Sequence, residues 1–341
     1  MTLQSITGSD VFGPVHWTTT SDLGRNWSEP LPVDGFGRRP LEDAGWQVGV
    51  CDVVPEFHAK SGNVLAVGHN VYYQNNVLAR PQKERWPVYA VFRDGQWSEP
   101  KKLDWNDDRA TAIYTCGCSQ RVNLAGGDVL VPFSFGPKER AHRSVTTVRC
   151  SFDGRTLEVQ KVGNELTNTA RRGLLEPSLT TLVGLYYMTI RAEDDRGYVS
   201  VSRDGLEWQT PTPWCWDDGE PLVMSTTQQH WLPHSEGLFL VYTRKAEDNV
   251  NVMRWRAPLY MAEVDRKSLR LIRSSEKIVL PLIGDGVNDA THVARMGNFH
   301  TLAVTPEESW VTVGETLPAE GWRGDTLLAR VRWSKPNRLV T

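Results

Sequence analysis

The chain has 341 residues and a formal net charge of −3, with acidic and basic residues mixed along its length. This balance does not provide the strongly basic face that nucleic acid or an acidic membrane surface requires, so we expect neither partner. No apolar stretch of about 18 residues is present that could span a membrane. The first ten residues contain neither the basic nor the apolar part of a signal peptide. A cytoplasmic location is therefore the default expectation, or a secreted or periplasmic one if the N-terminus is incomplete.

A short turn motif recurs four times along the chain. Its first copy, Thr20–Trp27, has the pattern Ser/Thr-x-Asp-x-Gly-x-x-Trp. Shorter or degenerate copies follow at Phe92–Trp97, Ser151–Leu157 and Ser202–Trp208. The Asp of such a motif accepts backbone N–H groups within the turn, the Gly supplies a positive φ, and the Trp packs beneath the hairpin. The motif therefore predicts a hairpin turn between two strands at each place.

Pairs of strand-like runs accompany these turns. They alternate or run apolar over short stretches that end at Gly, Asn, Asp or Pro, and no segment shows sustained helical periodicity. The paired runs are Val53–Ala59 with Val64–Tyr73, Gln120–Leu124 with Val129–Phe135, Pro177–Leu182 with Leu185–Arg191, Gln229–Leu232 with Leu238–Arg244, and His292–Met296 with Phe299–Thr305.

The spacing of these units predicts the fold. It indicates an all-β protein, a six-bladed β-propeller of four-stranded antiparallel blades that forms a single domain over residues 1–341. Residues 1–35 make the sixth unit but lack an obvious first strand. Either the C-terminal run Leu327–Trp333 helps to close the ring, or the N-terminal blade is incomplete.

The turn motif resembles the Asp-box, or BNR repeat, of the sialidase (neuraminidase) superfamily, and the resemblance covers nearly the whole chain. Three further segments resemble bacterial sialidase-like proteins: Arg256–Leu259, Met261–Asp265 and Trp310–Val313. The resemblance implies a carbohydrate-active enzyme, an exo-α-sialidase-like glycoside hydrolase. Its partner would be a glycan or oligosaccharide, with a terminal anionic sugar bound in a pocket on the propeller axis.

The best local match to the family lies around Glu176 and Arg191, which are fifteen residues apart. In sialidases a Glu at the start of a blade's first strand polarises a tyrosine nucleophile, and an Arg at the end of the second strand clamps the substrate carboxylate. A guanidinium fork matches a carboxylate, which is the chemical reason for Arg there. Tyr187 precedes this Arg and is a candidate substrate contact. Alternatively, Glu176 caps a turn and Arg191 pairs with Glu193 or Asp194 on the surface.

Two further positions resemble the family's site. Asp10 stands in a loop near the place of the family's acid, and Arg254 near that of a later carboxylate-binding Arg, on a predicted third strand. Asp10 is equally well explained as a turn residue, and Arg254 as a surface or cross-strand residue. The segment Asp289–Val293, where the family places its nucleophile, contains no Tyr. The family's first carboxylate-binding Arg also has no counterpart at the start of the chain.

A second chemistry uses histidine. Five of the eight histidines fall on or beside predicted first and second strands: His58, His69, His230, His234 and His292. His69 or His292, with Tyr72, Tyr73, Tyr114 or Tyr187 as partner, could remove the C5 proton of a uronic acid while an Arg neutralises its carboxylate. The alternatives are therefore a polysaccharide lyase or unusual glycosidase, and a non-catalytic glycan-binding propeller.

The five cysteines have no regular spacing and predict no disulfide framework. Cys116-Gly117-Cys118 is the one close pair that could bind a metal or act in redox chemistry. Because no second pair accompanies it and no zinc motif occurs, buried free thiols are expected, without metal or cofactor.

Overall fold

The computed structural model describes residues 1–8, 10–317, 320 and 323–340. Over these residues the chain forms 28 β-strands, with two short 3-10 segments at Met253–Trp255 and Arg273–Ser275. The predicted all-β propeller class of small antiparallel sheets is therefore confirmed. No helix in this part of the chain has the length and hydropathy to span a membrane.

The chain divides into two compact units. The first consists of Met1–Cys118, Asn123–Arg140 and Val148–Val162, and the second of Ser119–Val122, Ala141–Thr147 and the residues from Gly163 onward. That the whole chain forms a single domain remains a prediction.

The first unit contains two complete sheets and most of a third. The first sheet is β1 (Thr2–Ile6), β2 (Phe12–Trp17) and β3 (Leu31–Pro32). The second has the order β10-β8-β6-β5-β4 with two short side strands: β4 (Arg39–Pro40), β5 (Trp46–His58), β6 (Asn63–Gln74), β7 (Val77–Leu78), β8 (Pro87–Arg93), β9 (Gln96–Trp97) and β10 (Lys101–Lys102). The third is β11 (Ile113–Thr115), β12 (Val122–Asn123), β13 (Val129–Gly136), β14 (Ser144–Phe152), β15 (Leu157–Val162) and β16 (Leu166–Thr167).

The second unit contains three further sheets. One is β17 (Leu174–Leu182), β18 (Leu185–Ala192), β19 (Gly197–Ser202) and β20 (Thr212–Pro213) in sequential order. The next is β21 (His230–His234), β22 (Gly237–Tyr242), β23 (Leu259–Asp265), β24 (Arg270–Leu271) and β25 (Lys277–Leu280). The last is β26 (Arg295–Thr305), β27 (Glu308–Thr316) and β28 (Thr326–Arg332).

Large aromatic side chains fill the interior of each unit. In the first, Trp105 packs between the rings of Phe133 and Phe135, at centroid distances of 5.3 and 5.4 Å. In the second, Trp231 packs against Trp214 at 5.9 Å and against Tyr187 at 6.1 Å. Each of these rings buries a large apolar area, which is the main favourable term in folding such small sheets.

The number of blades differs from the prediction of six four-stranded blades. We count five blades. In the described residues the first and the last sheet each have only three strands, and β3 of the first sheet is two residues long. The lack of an obvious first strand in residues 1–35 already indicated that this unit is not a regular four-stranded blade. The predicted hairpin of His292–Met296 with Phe299–Thr305 is also wrong: both runs fall within or before one strand, β26, whose partner is β27.

The turn motif forms the predicted hairpin at all four copies; at Phe92–Trp97, Phe92 pairs with Trp97 and Arg93 with Gln96. Oδ1 of Asp22, Asp153 and Asp204 each accepts two backbone N–H groups of its own turn, at 2.7 to 3.0 Å. These bonds lower the pKa of Asp22 to about 2, the N–H of Asn26 contributing most. In the last copy, Trp208 is buried and its Nε1 donates to Oγ1 of Thr147 at 2.6 Å.

Candidate functional site

A β-bulge with the same register offset occurs in three sheets. In β5 and β6, Cys51 pairs with His69, but the next pair is Val54 with Val67, so three residue steps on one strand match two on the other. The same offset separates Leu175↔Arg191 from Ser178↔Thr189, and Met296↔Glu315 from Phe299↔Val313. The one-residue insertion breaks the alternation of side chains and re-aims those at the bulge.

Two of these bulges hold an acidic residue in a strained conformation. Asp52 has φ +55° and Glu176 has φ +45°, in the left-handed region that costs a residue with a side chain about 1–2 kcal/mol. The bulge aims each carboxylate at the residue opposite: Glu176 at Arg191, and Asp52 at His69. Strained residues of this kind persist where the surrounding structure requires them, which makes both positions candidates for function.

Arg191 is the centre of the larger cluster, in the second unit. Its side chain is only 5% exposed, and its two terminal nitrogens contact different carboxylates. Nη1 donates to Oε1 of Glu176 at 2.7 Å, and Nη2 donates to Oε1 of Glu193 at 3.3 Å. The second of these carboxylates also accepts a hydrogen bond from Nη2 of Arg172. The buried guanidinium is therefore held in a fixed orientation by charge-assisted bonds on two sides.

The cluster carries a surplus of positive charge. Burial favours the neutral form of Glu193, but the guanidinium groups of Arg172, Arg191 and Arg254 together hold its pKa below the ordinary value. The ion pairs join the guanidinium groups of Arg172 and Arg191 to the carboxylates of Glu176 and Glu193, and Arg254 adds a third positive charge that acts on Glu193 without a direct ion pair. The cluster reaches solvent through Arg172, 57% exposed, and Glu176, 26% exposed. An anion entering from that side would meet a net attractive field.

Arg254 lies near this cluster but not on a strand. It falls in the 3-10 segment Met253–Trp255 with φ +54°, where its backbone carbonyl accepts a hydrogen bond from the hydroxyl of Ser225. The predicted third strand at this position is therefore wrong. Its charge still contributes to the lowered pKa of Glu193.

Two predicted residues of the second unit have other surroundings. Tyr187 is 1% exposed and belongs to the apolar cluster around Trp231, so in this structure it packs the core rather than lining a surface. His292 lies in a turn before β26 and its side chain is 66% exposed. Its Nδ1 contacts Oδ2 of Asp289 at 2.6 Å, an interaction within the same turn.

The remaining predicted residues belong to the first unit. Asp10 is exposed in a turn with φ +58°, and its carbonyl accepts a hydrogen bond from the hydroxyl of Tyr73 at 3.3 Å. His69 is buried in β6, with Nε2 at 3.3 Å from Sγ of Cys51 and 3.8 Å from Oδ2 of Asp52. An acid role for Asp10 and a base role for His69 stay predictions.

Three other histidines have structural partners. His58 is buried between Ser61 and the carbonyl of Gly127, at 2.9 and 2.8 Å. Nδ1 of His230 is 2.9 Å from Oγ of Ser178. Nε2 of His234 is 3.0 Å from the carbonyl of Lys335, and its ring packs on Trp333.

Sequence reasoning missed Asp52, Arg172 and the role of Glu193. Glu193 follows Arg191 by two residues, a spacing that places both on one face of a strand, and this signal could have joined them as a pair in the site. The alternative expectation, a surface pair of Arg191 with Glu193, has the correct partners, but both side chains are buried. Asp52 lies within an apolar run, and its proximity to His69 results from the bulge, which no local sequence pattern predicts.

No protein-family model and no curated protein matches the chain. Among solved structures, it is similar to Trypanosoma rangeli sialidase in complex with the inhibitor DANA, with a TM-score of 0.60 and 13% identity over 94% of this chain and 50% of that one. It is also similar to the K499G mutant of NanB sialidase from Streptococcus pneumoniae, with a TM-score of 0.60 and 10% identity over 94% of this chain and 63% of that one. The chain thus spans less than two thirds of these sialidases, and the likeness shows that it has the fold of their propellers.

Proposed function

We propose that the Arg191 cluster binds the carboxylate of a terminal anionic sugar, and that the protein acts on glycans as a sialidase-like hydrolase. One observation carries the proposal: a buried guanidinium is fixed between Glu176 and Glu193 in a cluster with net positive charge. A bidentate guanidinium is the group best suited to bind a carboxylate. The turn motifs, interpreted as Asp-boxes, and the likeness to sialidase structures support the same class.

The two carboxylates have a clear part in this arrangement. They accept bonds from separate nitrogens of Arg191, so that they orient the fork without neutralising the whole cluster. Glu176 is the more exposed of the two, and it is the one we expect to act as base or base partner beside the bound sugar. The attacking group in this proposal is a water molecule, because the sequence has no tyrosine where the family places its nucleophile.

The test is a screen of the purified chain against sialosides and uronate-containing oligosaccharides. Sialic acid release, together with binding of the sialic acid analogue DANA but not of its uncharged methyl ester, is the expected result. Binding without turnover would identify a glycan-binding protein, and an unsaturated product would identify elimination instead. If no anionic sugar binds, the proposal is wrong.

Two arginine variants test whether DANA binds at the Arg191 cluster. Arg191→Lys keeps the charge but loses the fork, and it should weaken DANA binding. Arg273→Lys is the matched control, because this exposed arginine of the second unit also contacts two carboxylates, Asp218 and Glu220. Equal binding by both variants would remove Arg191 from the site.

A further inference from the structure

The bulge in β5 brings three different metal-binding side chains together in the first unit. Sγ of Cys51, Oδ2 of Asp52 and Nε2 of His69 all lie within 4.8 Å of one another. Cys51 and His69 are direct cross-strand partners, and the inserted residue Asp52 turns its carboxylate to the same side. This grouping is independent of the Arg191 cluster and has no part in the function proposed above.

The three distances match the edges of a tetrahedral metal site. Sulfur to nitrogen is 3.3 Å, sulfur to oxygen is 3.7 Å, and nitrogen to oxygen is 3.8 Å. Around a tetrahedral zinc ion with bonds of about 2.3 Å to sulfur and about 2.0–2.2 Å to nitrogen and oxygen, such edges are about 3.4–3.6 Å. Shifts of a few tenths of an ångström would therefore let all three atoms bind one ion.

Two glycines hold the cluster in place. A side-chain carbon at Gly68 would stand 2.7 Å from the carbonyl oxygen of Cys51, so that only glycine allows the bulge to fold against β6. A side-chain carbon at Gly117 would stand 2.2 Å from Cε1 of His69 and 3.1 Å from Cβ of Asp52. The imidazole is thus confined by close backbone packing, and ligands held rigidly in this way lose little freedom on binding a metal.

The donor set and its charge select the metal. A thiolate and a carboxylate supply two negative charges and the imidazole is neutral, so one divalent cation balances the group and avoids the cost of a buried net charge. Sulfur and nitrogen ligands favour zinc over magnesium and calcium, which take oxygen ligands. The side chain of Asp52 is 17% exposed, so its carboxylate is the part of the group nearest to solvent.

We propose that Cys51, Asp52 and His69 form a binding site for a zinc-type divalent cation, with the fourth position open to water or to a ligand oxygen. Three protein ligands with one open position are the pattern of zinc sites that polarise a bound ligand. The three residues follow no CxxC or HxxxH spacing, so no sequence motif predicts this site. Cys116-Gly117-Cys118, set aside for lack of a second pair, contributes through the glycine that packs against the imidazole.

The test uses the full chain after removal of metals with a chelator. Titration with Co²⁺ should give one bound ion per chain and a thiolate-to-metal charge-transfer band in the near ultraviolet. Zn²⁺ should displace the Co²⁺ and remove the band. Cys51→Ser should abolish the band, and it should weaken binding by more than the roughly 10–100-fold that loss of an outer-sphere partner causes. Cys215→Ser, which removes a thiol of the second unit, should bind Co²⁺ like the unchanged chain.

Asp52→Asn keeps the test decisive if Cys51→Ser fails to fold. This residue is partly exposed and the substitution preserves its shape, so the variant should fold, keep the thiolate band at saturating Co²⁺, and bind at least 10-fold more weakly. The proposal is overturned if the unchanged chain binds no stoichiometric Co²⁺, if the band survives in Cys51→Ser, or if Asp52→Asn binds as tightly as the unchanged chain. In each of these cases the three side chains form only a hydrogen-bonded group.

Discussion

Replacing Arg191 by lysine should measurably destabilise the second unit, by an amount that follows from its two partners. Its nitrogens reach Glu176 and Glu193 separately, at 2.7 and 3.3 Å, from a side chain that is only 5% exposed. A single ammonium group has no fork and can replace one of these contacts but not both. Loss of one charge-assisted hydrogen bond in a buried setting costs about 1.5–3 kcal/mol. Removing one partner of a buried pair altogether costs about 3–5 kcal/mol, which sets the upper limit.

Urea unfolding followed by tryptophan fluorescence gives the measurement, with the change in free energy taken at unchanged m-value. The control is Arg273→Lys, whose two ion pairs are exposed and should contribute less than about 1 kcal/mol. In binding, the same 1.5–3 kcal/mol corresponds to an affinity for DANA lowered about 10- to 150-fold. If the two variants lose the same stability, the buried cluster has no special energetic role and the reasoning is refuted.

Three further predictions test other parts of the structure. Asp204→Ala removes a carboxylate oxygen that accepts two backbone N–H groups of its turn, and it should cost about 1–2 kcal/mol in urea unfolding, as for a lost helix cap; an unchanged midpoint would contradict this. Trp208→Phe should cost about 1–3 kcal/mol, because it leaves the buried hydroxyl of Thr147 without its indole donor; a loss below 0.5 kcal/mol, roughly the scatter of neutral changes, would show that the bond is dispensable. Burial, and to a smaller extent the charge of Arg121, lowers the pKa of His300 to about 4. Between pH ~6.5 and pH ~4 this histidine is therefore protonated in the unfolded chain but neutral in the folded chain. This group should therefore reduce stability by about 2 kcal/mol between pH 7 and pH 5, a loss that His300→Gln should remove and that the exposed control His292→Gln should retain; identical pH profiles for both variants would contradict the prediction.

Periodicity predicted the long strands because each one alternates or runs apolar against a sheet on either side. The run Leu185–Arg191 corresponds to β18, and Val64–Tyr73 lies within β6. The turn motif predicted its hairpins for a local reason, since the Asp, the Gly and the backbone groups they satisfy lie within a few residues of one another. Glu176 and Arg191 were likewise found as a pair, through the family's spacing rather than through any local pattern.

Two of the failures share one physical cause, the β-bulge. Gly297-Asn298 reads as a turn between two short strands, but in the structure it is the insertion within β26. Asp52 interrupts an apolar run and reads as a solvent-facing residue, but its left-handed backbone turns the carboxylate to His69. An insertion of one residue reverses the side to which every later side chain points. Its position depends on the partner strand, which the local sequence does not contain.

The repeated bulge shows that the backbone geometry is shared by three sheets, whereas the side chains beside it differ. In three sheets, His69, Arg191 and Glu315 occupy the same position, in the last residue pair before the insertion. The groups at these equivalent positions differ in kind: a buried imidazole, a guanidinium held by two carboxylates, and a carboxyl whose pKa is raised by burial and by Asp325. Backbone geometry thus supplies a buried position in each of the three sheets, and the side chain placed there decides the chemistry. For this reason a likeness of fold carries no activity with it. The proposals made here rest on the identity of these few residues, and the substitutions at Cys51, Asp52 and Arg191 are the measurements that decide them.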